Sequence, residues 1–195
     1  MGTLQNGSAT VTSDANIKGS LKSLYLPANT IVDSTLLSSI TKFRNLITVH
    51  VRTYHFFSTE SCTFHLTDDD MENLASALPR LNILRLGEPC CGGSCNTTVA
   101  SLMSVSVHCL DLEVLETHFN TRTIVCDIQR LLDGNTGRDK AKCKLQKLPA
   151  WPILSEVRGE DIEIIAMGFN VIFPHLKDIE GRNNRWRQVN SKLGN

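Results

Sequence analysis

Three of the seven cysteines crowd into Cys90-Cys91-Gly92-Gly93-Ser94-Cys95, a stretch whose residue types could hold a metal ion or run thiol redox chemistry. Structural zinc takes four Cys or His ligands, usually from paired knuckles. Here one cluster stands alone, and His108 or His118 could complete a set only by a spacing that nothing demands. A glycine-rich loop after a strand, carrying small apolar thiols, is the better account, so neither zinc nor a redox switch is expected. Asp68-Asp69-Asp70 could attract a divalent cation, but the D-x-D-x-D-G spacing of a calcium loop is absent. Acidic residues at a helix start are already explained by the helix macrodipole. The tail Arg182-Asn183-Asn184-Arg185-Trp186-Arg187 could touch RNA or protein, although a solvated terminal strand edge accounts for it more simply. No G-x-S-x-G elbow, phosphate loop ending in G-K-[ST] or H-E-x-x-H pair occurs. The expectation is a chain with no catalytic residues, no metal and no cofactor. An enzyme here would need polar groups converging from distant positions.

Recognition is the chemistry left, and it needs a surface. The pattern L-x-x-L-x-L appears as LKSLYL at 21–26 and LNILRL at 81–86, with relaxed copies LITVHV at 46–51, LEVLET at 112–117, LQKLPA at 145–150 and LKDIEG at 176–181. Leading leucines at 21, 46, 81, 112, 145 and 176 are 25, 35, 31, 33 and 31 residues apart, a near-regular interval that marks a repeat architecture. The intervening segments read as helices. Thr67, with Asp70 three residues on, is a capping-box-like start to MENLASAL, which Pro79 ends. Thr97 or Thr98 opens a second helix carrying Val99, Leu102, Met103 and Val107. A third runs from Ile124 to Leu132 and stops at Asp133-Gly134. A fourth opens at Glu160-Asp161, turns Ile162, Ile165, Ala166 and Phe169 inward, and closes at Pro174. A shorter one covers about Ser34 to Lys42.

Strand and helix alternating about every thirty residues predict an α/β fold: an irregular, leucine-rich-repeat-like solenoid with a parallel sheet on one face and helices on the other. Strand side chains alternate, so Leu84 and Leu86 turn to the helices while Ile83 and Arg85 turn out. The outward column Tyr25, His50, Arg85, Glu116, Pro149 and Glu180 is the candidate partner-binding surface, about 24 Å long if six strands lie about 4.8 Å apart. Arg85 and Glu116 could equally pair with each other across neighbouring strands. The insertion Tyr54-His55-Phe56-Phe57-Ser58-Thr59-Glu60-Ser61-Cys62 adds Tyr54 and Phe56 as candidate contacts, against the alternative that its rings fold back over the strand edge.

Composition sets the class. The 195 residues are 41% hydrophobic, enough for one core, and their formal net charge is zero. Nucleic acid and anionic membrane surfaces both bind through excess positive charge, so neither is an expected partner. No apolar run fits a signal peptide or a membrane span. An odd number of dispersed cysteines points to reduced thiols, hence to a cytoplasmic or nuclear protein. Residues 1–20 read as a flexible N-terminal segment, 21–181 as the repeat domain and 182–195 as a C-terminal tail.

The runs LTDDDMENLASALPRLNILRLGEPC and TTVASLMSVSVHCLDLEVLETHFNT, with EDIEIIAMGFNVIFPHLKDIEG, resemble the degenerate leucine-rich repeats of fungal F-box proteins. The resemblance spans roughly residues 21 to 181. It implies a protein-protein interaction module that selects the substrate of a ubiquitin ligase. In that family an amino-terminal helical module of about forty residues recruits the ligase, and the twenty residues before the first hexad are too few to hold it. A repeat-only scaffold or adaptor therefore stands beside the ligase reading.

Overall fold

Aliphatic residues at alternate positions favour an extended backbone with one buried face, and the hexads have that pattern. A computed structural model of the chain describes residues 20–27, 30–51, 64–87, 96–120, 123–134, 143–148, 158–180 and 184–194. Residues 1–19 of the expected N-terminal segment 1–20, the aromatic insertion with Tyr54 and Phe56, the Cys90–Cys95 loop and Pro149 lie outside them. The six hexads form strands β1 (Ser23–Leu26), β3 (Thr48–Val51), β5 (Ile83–Leu86), β6 (Val114–Glu116), β7 (Lys147–Leu148) and β8 (Asp178–Ile179). Between them fall β2 (Val32–Asp33) and β4 (Phe64–His65). The hexad strands make one six-stranded sheet in the order β1-β3-β5-β6-β7-β8, every pair parallel. The third residue of each hexad stands opposite the third residue of the next: Ser23, Thr48, Ile83, Val114, Lys147, Asp178. Strand β2 pairs with β4 in a separate two-stranded parallel sheet that the hexad pattern did not predict.

One backbone bond recurs where the chain comes into β3, β5, β6 and β8. Ile47 N–H donates to the Lys22 carbonyl at 2.7 Å, Asn82 N–H to Ile47 at 2.8 Å, Glu113 N–H to Asn82 at 2.8 Å and Lys177 N–H to Gln146 at 2.9 Å. The leading leucines just before these positions, Leu46, Leu81, Leu112, Leu145 and Leu176, are buried. Gly87 leaves β5 with φ 85°, a left-handed conformation that suits glycine, and its N–H reaches the Val51 carbonyl at 2.8 Å.

Parallel neighbours need crossovers of a dozen or more residues, and helices supply them. In chain order these are α1 (Ser34–Ile40), α2 (Asp68–Ala77), α3 (Val99–His108), α4 (Ile124–Gly134), α5 (Ile162–Ile172) and a terminal α6 (Asn184–Asn190). Asp33 caps α1 by accepting from Leu36 N–H at 2.8 Å. The capping box of α2 is complete: Asp70 N–H donates to Thr67 Oγ1, and the Asp70 carboxylate accepts from Thr67 N–H at 2.9 Å. Thr98, rather than Thr97, caps α3 by accepting from Ala100 N–H. Helix α4 runs on through Gly134, and Gly159–Asp161 form a 3-10 turn ahead of α5. Of the apolar residues of α3, Val107 is 56% exposed and Val105 is buried. Val99, Leu102 and Val105 share a stripe at three-residue steps, and Val107 falls beyond its edge.

The inner strand residues Val49, Leu84, Leu115, Leu148 and Ile179 join Met71, Leu74, Leu102, Val105, Ile128, Ile165 and Phe169 of the helices in one core. Complete burial of such a side chain stabilises the fold by about 1.5–3 kcal/mol. Within the stretch expected to be a solvated strand edge, residues 184–187 instead begin helix α6, with Trp186 and Val189 fully buried. Trp186 meets Phe169 edge to face at 6.2 Å between ring centroids, and Phe169 meets Phe119 at 6.4 Å. A basic, polar sequence hid this, because the apolar residues Trp186, Val189 and Leu193 are single residues at three- and four-residue steps. The described residues thus form an α/β fold with a parallel sheet and six helices. Among them, no helix is long and apolar enough to cross a membrane.

Candidate functional site

The register that aligns the hexads also aligns their fifth residues. Tyr25 stands opposite His50, His50 opposite Arg85, and Arg85 opposite Glu116. These four side chains therefore form an unbroken row on the outer face of the sheet. Tyr25 is 67% exposed and lies against His50, ring centroids 5.8 Å apart and planes tilted by 60°. Arg85 Nε and Glu116 Oε2 are 3.5 Å apart, an ion pair whose side chains are 41% and 20% accessible. The pairing weighed from the sequence is thus present. Beside this row runs the third-position column Ser23, Thr48, Ile83, Val114, Lys147 and Asp178, and Glu180 continues the fifth position, exposed, beyond β8.

Such a strip offers a partner an accessible aromatic ring at one end, neutral β-branched positions in the middle, and charge of both signs further along. Tyr and Arg are the residue types that most often anchor interfaces, and both are held here by neighbours rather than by long flexible loops. Tyr54 and Phe56, the other candidate contacts, fall outside the described residues.

Two of the cysteines sit in the core among the described residues, Cys109 and Cys143. The Cys109 thiol is pushed up to about 12 by burial, with the neighbouring Cys143 adding to it. Burial also raises Cys143, and its Sγ donates to the Leu112 carbonyl at 3.8 Å. Burial thus disfavours the thiolate, the nucleophilic form, at both positions. No group of three His, Cys, Asp or Glu able to hold a metal ion occurs among the described residues. A cleft of about 410 Å³ opens between α3 and α4, lined by Thr98, Met103, Asp127 and Arg130. Its carboxylate is engaged: Asp127 accepts from Thr123 Oγ1 at 2.7 Å and faces Arg130 at 3.6 Å.

No family model matches the chain, and no curated protein matches it at a significant level. The outer strip must therefore be judged on its own geometry. A tie between successive units, hard to see in the sequence, stiffens the scaffold that carries it. Asp68, in the first turn of α2, accepts from Thr98 N–H at 2.6 Å and Thr98 Oγ1 at 2.7 Å. The same hydroxyl caps α3, so one carboxylate joins the starts of two helices. Thr97 Oγ1 donates to the His118 carbonyl at 2.6 Å and carries the link on past β6. The one sequence signal was a pair of threonines thirty residues after an acidic cluster.

Proposed function

We propose that the chain is an irregular leucine-rich-repeat-like solenoid that recognises a protein partner through the outer face of its sheet. In this reading it is non-enzymatic, acts in the cytoplasm or nucleus, and resembles the substrate-recognition repeats of F-box ubiquitin-ligase receptors. The observation that carries the proposal is the in-register row Tyr25, His50, Arg85, Glu116 on a parallel sheet whose strands follow one another in chain order. Support also comes from the core, which gathers the inner strand residues with the helices, while the outward Tyr25 is exposed and His50, Arg85 and Glu116 are half-buried.

The test is recovery of partners from cells by the full chain, alongside the double variant Tyr25→Ala/Arg85→Ala. The strip, if it is the interface, loses at least about tenfold in affinity while the melting temperature stays within a few degrees. Unchanged affinity for every recovered partner removes the surface from consideration. Recovery of the ubiquitin-ligase adaptor favours the receptor role. A surface-dependent partner without the adaptor favours a repeat-only scaffold.

A further inference from the structure

The last strand of the sheet is closed by a side chain. On its inner side β8 is held by β7: Asp178 N–H donates to the Gln146 carbonyl at 3.3 Å and Glu180 N–H to the Leu148 carbonyl at 3.0 Å. Main-chain groups alternate along a parallel ladder, so those of Ile179 point the other way. Asn190 meets both of them. Its Oδ1 accepts from Ile179 N–H at 2.8 Å, and its Nδ2 donates to the Ile179 carbonyl at 2.9 Å and to Asp178 Oδ1 at 2.7 Å. A carboxamide carries the same donor and acceptor as a peptide group, so Asn190 supplies what a further strand would supply. Buried Trp186, Val189 and Leu193 fix α6 in that position.

The opposite edge differs. Thr48 N–H bonds the Lys22 carbonyl at 3.0 Å, which turns the Leu24 main chain toward β3 and those of Ser23 and Tyr25 outward. No described strand lies on that side. Because every strand is parallel, the outer side of β8 in one copy and the outer side of β1 in another have matching polarity.

We propose that the β8 edge is a self-association surface for β1 of a second copy of this chain, kept shut by α6 through Asn190. Opening it gives head-to-tail assembly, since a heterologous contact of this kind does not close on itself. The experiment compares the full chain with its Asn190→Ala variant, which keeps Trp186 in the core, by light scattering across a concentration series with circular dichroism as the check on folding. The full chain is expected to show no growth through this edge. The Asn190→Ala chain is expected to remain folded and to grow beyond dimer with concentration. Adding Ser23→Pro, which removes an outward N–H from an edge strand, is expected to abolish that growth. A folded, monomeric Asn190→Ala chain overturns the proposal, and so does growth that Ser23→Pro leaves untouched.

Discussion

Thr67 and Asp70 satisfy each other at the start of α2, and the proton on that carboxyl decides how long the arrangement lasts. Partial burial works against ionisation of Asp70, but hydrogen bonds from the Thr67 backbone, the Thr67 hydroxyl and the Ser34 hydroxyl prevail and hold its pKa below the ordinary 3.8. A carboxyl whose folded value lies below its unfolded value stabilises the fold above the unfolded value, and loses that contribution as pH falls through the folded one. Asp70→Asn should therefore lower the melting temperature near neutral pH and converge on the parent as pH drops well below 3.8. Losing such a cap costs about 1 kcal/mol, roughly 2–4 °C for a chain of this size, which thermal scans from neutral to acid pH resolve. A pH-independent gap between the two proteins would contradict the assignment. The capping box was legible because its partners are three residues apart. Asp68 and Thr98 are thirty residues apart, so their bond could be seen only once the units were stacked.

Gly168 lets α5 pack tightly against Ile128 of α4, a use of glycine that local propensity conceals. A Cβ built at Gly168 would lie 2.4 Å from Ile128 Cγ2 and 2.8 Å from both Cγ1 and Cδ1. In an exposed helix Gly→Ala gains up to about 1 kcal/mol. Here Gly168→Ala is expected to destabilise by about 1–3 kcal/mol instead, because the β-branched Ile128 has little freedom to move aside. Urea unfolding measures the sign, and Ile128→Ala in the Gly168→Ala background should return part of the loss. At this scale helices were easiest to read where apolar residues recur densely, as along Ile162, Ile165, Ala166 and Phe169. Helix α6 escaped because its buried residues are separated by Arg, Gln, Asn and Lys. Strands β2 and β4 escaped because two residues are too few to show a period.

Across the whole molecule the main contacts run between successive elements, α1 to α2, α2 to α3, α4 to α5, α5 to α6, and strand to adjacent strand. Stability in such an arrangement is transmitted neighbour to neighbour. Leu176→Ala, at a buried turn before β8, should cost about 2–5 kcal/mol locally. Hydrogen exchange should then accelerate at the Lys177, Asp178 and Glu180 amides, which bond to Gln146 and Leu148, while the Ile47 and Thr48 amides bonded to Lys22 stay protected. Equal acceleration everywhere would mean a single all-or-none unit. The strand register was legible because the leading leucines are core positions, and a slip of one residue would turn Leu84 and Leu86 to the outer face. The tilted Tyr25–His50 contact was not, since ring tilt depends on side-chain rotamers that spacing does not report. The bond that Lys22 offers Ile47 is the bond that Ile47 offers Asn82 and Asn82 offers Glu113. A gene segment running from one of these junctions to the next could be duplicated or excised and still leave matching seams, so the outer face of the sheet could lengthen or shorten in whole steps of about 4.8 Å.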